Sequence, residues 1–213
     1  YSFTGLTPGV EYQVQFADIP AGTVFTTPNV SANGFDSTDS DANPATGKTP
    51  IVTLTSGENN TTLDAGVYTP ATLSGYVYQD VGNDGVRNAE PPIGGVILTL
   101  TGTDGAGNAV TGSATTDGNG FYQFTNLPPG SYTVTEAQPA GYLDGQDTAG
   151  TPGGGTSGNE VNSTITLTSG MNSTENNFGE LLPASLGDRL WTDSNGNGLQ
   201  DGGESGVVGQ TIT

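Results

Sequence analysis

Apolar and polar residues alternate along this chain in short runs, at 73–78, 96–101, 109–116, 121–124, 132–136, 165–167 and 176–181, separated by clusters of Gly, Pro, Asn and Asp. A period of two places every second side chain on one face of a strand, whereas no segment carries the 3.6-residue apolar repeat of a helix. Seven or so short strands in about 110 residues predict an antiparallel β-sandwich. Asp117-Gly-Asn-Gly120 reads as a hairpin turn between two of them, because Gly and Asn tolerate positive φ. Tyr76, Tyr78, Phe124, Tyr132 and Trp191 lie on alternating runs and are expected in the core.

The pattern repeats. Pro70-Ala-Thr-Leu-Ser-Gly-Tyr-Val-Tyr-Gln-Asp80 aligns with Pro183-Ala-Ser-Leu-Gly-Asp-Arg-Leu-Trp-Thr-Asp193 at an offset of 113, and Val52-Thr-Leu-Thr-Ser-Gly57 with Ile165-Thr-Leu-Thr-Ser-Gly170 at the same offset. Tyr1-Ser-Phe-Thr-Gly-Leu-Thr-Pro-Gly9 aligns with Tyr122-Gln-Phe-Thr-Asn-Leu-Pro-Pro-Gly130 at an offset of 121, so the first copy carries a longer loop. The expected organisation is the C-terminal part of a first repeat (1–69), a complete second repeat (70–182) and the N-terminal part of a third (183–213). The chain starts at Tyr1 without an initiator Met and reads as an excerpt, its partial repeats completed by neighbouring residues or, alternatively, by strands from another chain. Pro70 and Pro183 mark short, stiff junctions and predict a semi-rigid rod.

Charge narrows the partners. There are 22 acidic residues against three basic ones, Lys48, Arg87 and Arg189, for a net charge of −19, which repels phosphate backbones and anionic membranes. Nucleic acid is excluded as a natural partner. Only 12% of residues are charged, and the acids gather in loops with Asn and Gly, where hard cations bind. Gly (35) and Pro (13) are abundant enough to raise disorder, but low-complexity sequence would not keep strand-like runs in register. With no Cys and no His, disulfides, thiolate sites and histidine-based catalysis are ruled out. No apolar run is long enough to span a bilayer in this segment, and no signal-peptide pattern is present.

The loop from Asp193 fills every position of a twelve-residue calcium loop: side-chain oxygens of Asp193, Asn195, Asn197 and Asp201 at 1, 3, 5 and 9, the Leu199 carbonyl at 7, Glu204 at 12, and Gly198 at the sharp turn. Strand-like flanks replace the helices of an EF-hand. The copy at Asp80 keeps Asp80, Asp84, Val86 and Asn88 at 1, 5, 7 and 9, leaves position 3 empty at Gly82, and brings Glu90 one residue early. It reads as either a weaker calcium site or a plain loop. In the first repeat Asp36, Asp39 and Asp41 crowd three carboxylates together, relieved by either a cation or water.

No nucleophile is paired with a base and the three basic residues are isolated, so an enzyme is not expected. Sequons at Asn29, Asn59, Asn60, Asn162 and Asn172 read as chance matches in a chain this rich in Asn, Ser and Thr.

Residues 187–204, Asp117-Gly-Asn-Gly-Phe-Tyr-Gln-Phe-Thr-Asn-Leu-Pro-Pro-Gly-Ser-Tyr132 and Gly57-Glu-Asn-Asn-Thr-Thr-Leu-Asp-Ala-Gly66 resemble the B-type repeats of serine-aspartate-repeat adhesins, within the collagen-adhesin B-type, prealbumin-like group. The resemblance covers essentially the whole chain. It implies all-β, tandem prealbumin-like (Ig-like) sandwich repeats of a secreted bacterial surface protein, acting as calcium-stiffened stalks or spacers. Some relatives carry an internal Lys–Asn crosslink, but the complete repeat here has no lysine, and Lys48 lies in a loop.

The resulting expectation is a non-enzymatic structural repeat of an extracellular stalk, sheath or filament. Ca2+ is its cofactor, and its partners are neighbouring repeats of the same protein or a homopolymeric filament. An adhesin module binding a host or environmental ligand is the alternative, and a dockerin-type module is disfavoured because residues 206–213 read as β where a helix is required.

Overall fold

The computed structural model describes residues 1–28, 39–151, 155–156 and 161–211, and contains two compact units, Tyr1–Leu182 and Pro183–Thr213. Asp36 and the sequon at Asn29 lie outside the described residues.

The described residues contain strands and no helix. Four two-residue strands occupy the first part: β1 (Glu11–Tyr12), β2 (Val24–Phe25), β3 (Val52–Thr53) and β4 (Val67–Tyr68). Then follow β5 (Ala71–Gln79), β6 (Ile97–Asp104), β7 (Ala109–Thr115), β8 (Phe121–Leu127), β9 (Gly130–Glu136), β10 (Leu143–Asp144), β11 (Gly155–Thr156), β12 (Val161–Leu167), β13 (Asn172–Ser173) and β14 (Phe178–Leu181). One sheet runs β11-β12-β9-β6-β7, and the other runs β10-β14-β5-β13 with β8 also paired to β5. Two small antiparallel pairs, β1 with β3 and β2 with β4, complete the unit.

The alternation seen in the sequence is the packing pattern. In β6, Leu98 and Leu100 are buried while Ile97, Thr99 and Thr101 face outward. These two leucines meet Tyr132 and Val134 of β9, Ile165 and Leu167 of β12, Tyr122 and Phe124 of β8, Leu73 and Val77 of β5, and Phe178 of β14 in one core. Burying each large side chain contributes about 1.5–3 kcal/mol, so this cluster, and not the acidic loops, drives folding. The Tyr132 hydroxyl donates to Pro128 O (2.6 Å) and that of Tyr122 to Asn176 O (2.6 Å), so both buried polar tips are satisfied.

Two features depart from a plain antiparallel sandwich. β13 and β14 pair in parallel with consecutive stretches of β5, Ser173 opposite Leu73 and Phe178 opposite Val77. The chain between them passes so close over Gly75 that a Cβ there would meet Asn176 O at 1.8 Å, and only glycine fits. The turn Asp117–Gly120 is tight, with Gly120 N donating to Asp117 O (2.9 Å), but it does not join a hairpin. β7 pairs with β6 and β8 with β5, so this turn carries the chain from one sheet to the other.

Burial in the first part is slight: Ala42 is the one buried apolar residue among its described residues, while Tyr1 and Phe3 are exposed. Among the described residues of the second unit the expected flanking strands reduce to a single bridge, Trp191 opposite Gly206, closed by Thr192 N to Ser205 O (3.0 Å) and Val207 N to Leu190 O (2.8 Å). Trp191 is half-buried there, short of the core position expected of it.

Candidate functional site

β5 runs straight into the loop at Asp80. Its last residue, Gln79, is followed by an aspartate that is completely buried, its N–H donating to Glu180 O of β14 (2.8 Å). The Asp80 carboxylate gathers the loop around itself, accepting from Asp84 N (3.1 Å) and Gly85 N (2.7 Å). Asp84 Oδ1 accepts from Val86 N (2.9 Å), and Val86 O accepts from Asn88 N (2.8 Å). Glu90 folds back so that Oε1 accepts from Val81 N (2.9 Å), while Oε2 is buried with no hydrogen-bond partner among the described residues. The position left empty at Gly82 is flanked by the carboxylates of Asp84 and Asp80.

Long-range contacts hold this loop. The Gln146 amide donates to Asn83 O and the Thr148 hydroxyl to Gly85 O. Arg87 lies 3.6 Å from the centroid of the Tyr76 ring and 3.8 Å from Glu175. Beneath the loop, the Tyr78 hydroxyl is buried without a hydrogen-bond partner among the described residues; burial pushes its pKa well up, and the charges of Asp80, Glu90, Asp84 and Asp147 push the same way. Tyr78, Gln146, Asp147 and Thr148 escape the loop motif because their proximity to Asp80 is a product of the fold.

The loop at Asp193 is built the same way but from its own residues. Asp193 accepts from the N–H groups of Gly196 (2.7 Å), Asn197 (3.3 Å) and Gly198 (2.8 Å), and these donors, that of Gly198 first, hold its pKa below the ordinary value. Asp201 Oδ2 accepts from the side-chain amides of Asn195 and Asn197 (2.8 Å each), which lower its pKa likewise. Glu204 accepts from Ser194 N (2.8 Å) and Asp201 N (3.0 Å). Leu199 N donates to Asn197 Oδ1 (2.7 Å) and its side chain points to solvent. All five sequence-assigned side chains, Asp193, Asn195, Asn197, Asp201 and Glu204, are thus drawn into one small loop.

In the first part, Asp41 is buried and exchanges hydrogen bonds with Asp64: Asp64 N donates to Asp41 Oδ2 (2.9 Å), and Asp41 N to Asp64 O (2.9 Å). Burial, followed by the charges of Asp41 and Asp39, raises the Asp64 pKa. Asp64 is the member of this group that the acidic run alone does not reveal, lying two residues before Gly66, the glycine that aligns with Gly179. Asp39 and Asp64 border a cavity of about 570 Å³, with Asp104, Tyr68 and Pro129 opposite.

Chemically, the loops offer hard oxygen donors only, which suits calcium or magnesium and no softer metal. Among the described residues no group of three or more acidic side chains forms a ready-made ligand set. In the Asp193 loop, Asn195 and Asn197 turn their amide nitrogens toward Asp201, and a cation needs those amides turned over to present oxygen. At Asp80, Glu90 Oε2 is buried and has no hydrogen-bond partner among the described residues, which leaves one hard oxygen donor uncommitted.

Comparison with known proteins follows the same lines. The family model described as SdrD B-like domain matches residues 1–67 and 71–180. Serine-aspartate repeat-containing protein F of Staphylococcus epidermidis is 36% identical over 220 residues, covering 100% of this chain and 12% of the relative. Bone sialoprotein-binding protein of Staphylococcus aureus (strain MRSA252) is 35% identical over 217 residues, covering 100% of this chain and 18% of the relative. Among solved structures, the minor pilin GBS52 of Streptococcus agalactiae superposes with a TM-score of 0.36 at 14% identity, over 70% of each chain. The major pilin SpaD of Corynebacterium diphtheriae gives a TM-score of 0.35 at 18% identity, over 54% of this chain and 32% of the pilin. With the family model matched over residues 1–67 and 71–180, the chain belongs to the SdrD B-like domain family, and it spans less than a fifth of the length of the curated relatives named here.

Proposed function

We propose that this chain is a structural segment of a bacterial extracellular surface protein, a stalk or filament of tandem sandwiches in which calcium held by the loops at Asp80 and Asp193 stiffens the array. The observation that supports the calcium reading is the buried carboxylate of Asp80 at the end of β5, with one buried oxygen of Glu90 in the same loop. Asp80 is fully buried, and among the described residues neither Glu90 Oε2 nor the Tyr78 hydroxyl has a hydrogen-bond partner. A net charge of −19 gives such sites a strong attraction for cations and repels polyanionic partners. Repetition supports the spacer role, since copying a module extends reach while a binding site needs one distinctive face.

In this reading Asp80, Asp84, Asn88, Glu90 and the Val86 carbonyl hold one ion; Asp193, Asn195, Asn197, Asp201, Glu204 and the Leu199 carbonyl hold another. Bound calcium neutralises the crowded carboxylates and ties the loops down. Calorimetric titration with calcium, combined with small-angle scattering with and without chelator, tests the proposal. Saturable binding that weakens in Asp193→Ala, with a chain that becomes more flexible on chelation, is the expected result. Absence of binding heat, or identical scattering in both conditions, would overturn it.

A further inference from the structure

Loop positions 3 and 5 are both asparagines followed directly by glycine, Asn195-Gly196 and Asn197-Gly198. This dipeptide is chemically reactive, because glycine has no Cβ to shield its backbone nitrogen from the preceding side chain. The nitrogen of glycine attacks Cγ of the asparagine, the bond from Cγ to Nδ2 breaks, and ammonia leaves. The five-membered succinimide that forms is opened by water at either carbonyl, giving aspartate or isoaspartate. Nothing is oxidised or reduced, and water is the one co-reactant.

Attack requires a free glycine N–H, which must give up its proton, and a side chain that can swing its Cγ onto that nitrogen. Here both requirements are blocked. Gly196 N and Gly198 N donate to the two oxygens of Asp193 at 2.7 and 2.8 Å, and an N–H held by a carboxylate parts with its proton reluctantly. Each asparagine is pinned at both ends of its amide: Nδ2 of both donates to Asp201, Asn195 Oδ1 accepts from Asn197 N (3.0 Å), and Asn197 Oδ1 accepts from Leu199 N (2.7 Å). The loop itself is exposed to water, and its restraints come from within it.

We infer that Asn195 and Asn197 are self-modification sites held in check by Asp193 and Asp201, converting to aspartate and isoaspartate whenever the loop opens. Each conversion adds a carboxylate at loop position 3 or 5, and the isoaspartate form also inserts a carbon into the backbone. The Asp80 loop has no Asn-Gly pair and is exempt. The inference stands whether or not the loop binds calcium.

The full chain supplies its own control, Asn119-Gly120, whose glycine N–H is held instead by Asp117 O (2.9 Å). The chain, its Asp193→Ala variant and a peptide spanning residues 194–200, which lacks Asp193 and Asp201, are incubated in mildly alkaline buffer, and conversion at each asparagine is followed by peptide mass mapping and enzymatic isoaspartate labelling. In the parent chain Asn195 and Asn197 are expected to convert at least about tenfold more slowly than in the peptide, and Asp193→Ala to remove about that factor, the worth of a charge-assisted hydrogen bond. Asn119 is expected to keep its rate. Equal rates in chain and peptide, or no change in Asp193→Ala, would overturn the proposal. Acceleration shared by Asn119 would also overturn it, since it would trace protection to global folding and not to Asp193.

Discussion

Thr69 and Gly170 hold one another across the start of the complete repeat. Gly170 N donates to Thr69 O at 2.7 Å, and the N–H of Thr69 is taken by the hydroxyl of Ser169 at 2.9 Å. Thr69 precedes Pro70, so the junction segment is docked onto the late turn of the repeat it enters, in addition to being stiffened by proline. Ser169→Ala is expected to cost about 1 kcal/mol. Gly170→Val is expected to cost about 1–3 kcal/mol, because Gly170 sits at φ +71 and its Cβ would press on the Thr69 side chain at 3.4 Å. Thermal denaturation gives the stabilities, and faster hydrogen exchange at Thr69 and Gly170 locates the damage.

Asp80 and Asp193 hold matching sequence positions in very different surroundings. Asp80→Ala takes away the buried acceptor of the Asp84 and Gly85 N–H groups and should cost about 1–3 kcal/mol in denaturant titrations. Asp193→Ala removes a carboxylate from an exposed loop and should leave the melting of the Tyr1–Leu182 unit unchanged. Both effects are measured without metal.

Acid should open the Asp193 loop in a definite window. Asp193 and Asp201 are held below the ordinary carboxylate value by their N–H donors, so the loop's stabilisation is complete above about pH 3.9 and is lost as pH falls through their lower folded-state values. The amide resonances of Gly196 and Gly198, followed by NMR on acidification, should move with a midpoint below that of a free aspartate. A midpoint at or above it would contradict the hydrogen-bonded arrangement.

Arg87→Gln should loosen the Asp80 loop without unfolding the sheets. Its guanidinium over Tyr76 is worth about 0.5–1 kcal/mol at an exposed site, and the pair with Glu175, at 3.8 Å, adds little. Faster exchange confined to residues 81–90, at nearly unchanged melting temperature, is the expected signature.

The strands of the core could be read directly because their signal is local: Leu98 and Leu100 alternate with threonines, and Tyr122 and Phe124 with polar neighbours. The parallel attachment of β13 and β14 to β5 could not, since Ser173 and Leu73 lie 100 positions apart and nothing in either segment names the other. The same divide runs through the loops. Asp80, Asp84 and Glu90 announce themselves by spacing, whereas Asp147 and Thr148 arrive by tertiary folding, and Asp41 finds Asp64 only once β3 and β4 are in place. The turn at Asp117 was legible as a turn, but whether it closes a hairpin or switches sheets depends on where β7 and β8 find partners.

The parallel pairing of β5 with β14 has a mechanical consequence. The chain enters the complete repeat through β5 and leaves it through β14, and these two strands lie side by side pointing the same way, Val77 against Phe178 and Gln79 against Glu180. Tension applied between the two ends therefore acts along the ladder and not across it. The bonds joining β5 to β14, and those joining β5 to β13, are loaded together in shear and must yield together, where a hairpin pulled from its open end would unzip one bond at a time.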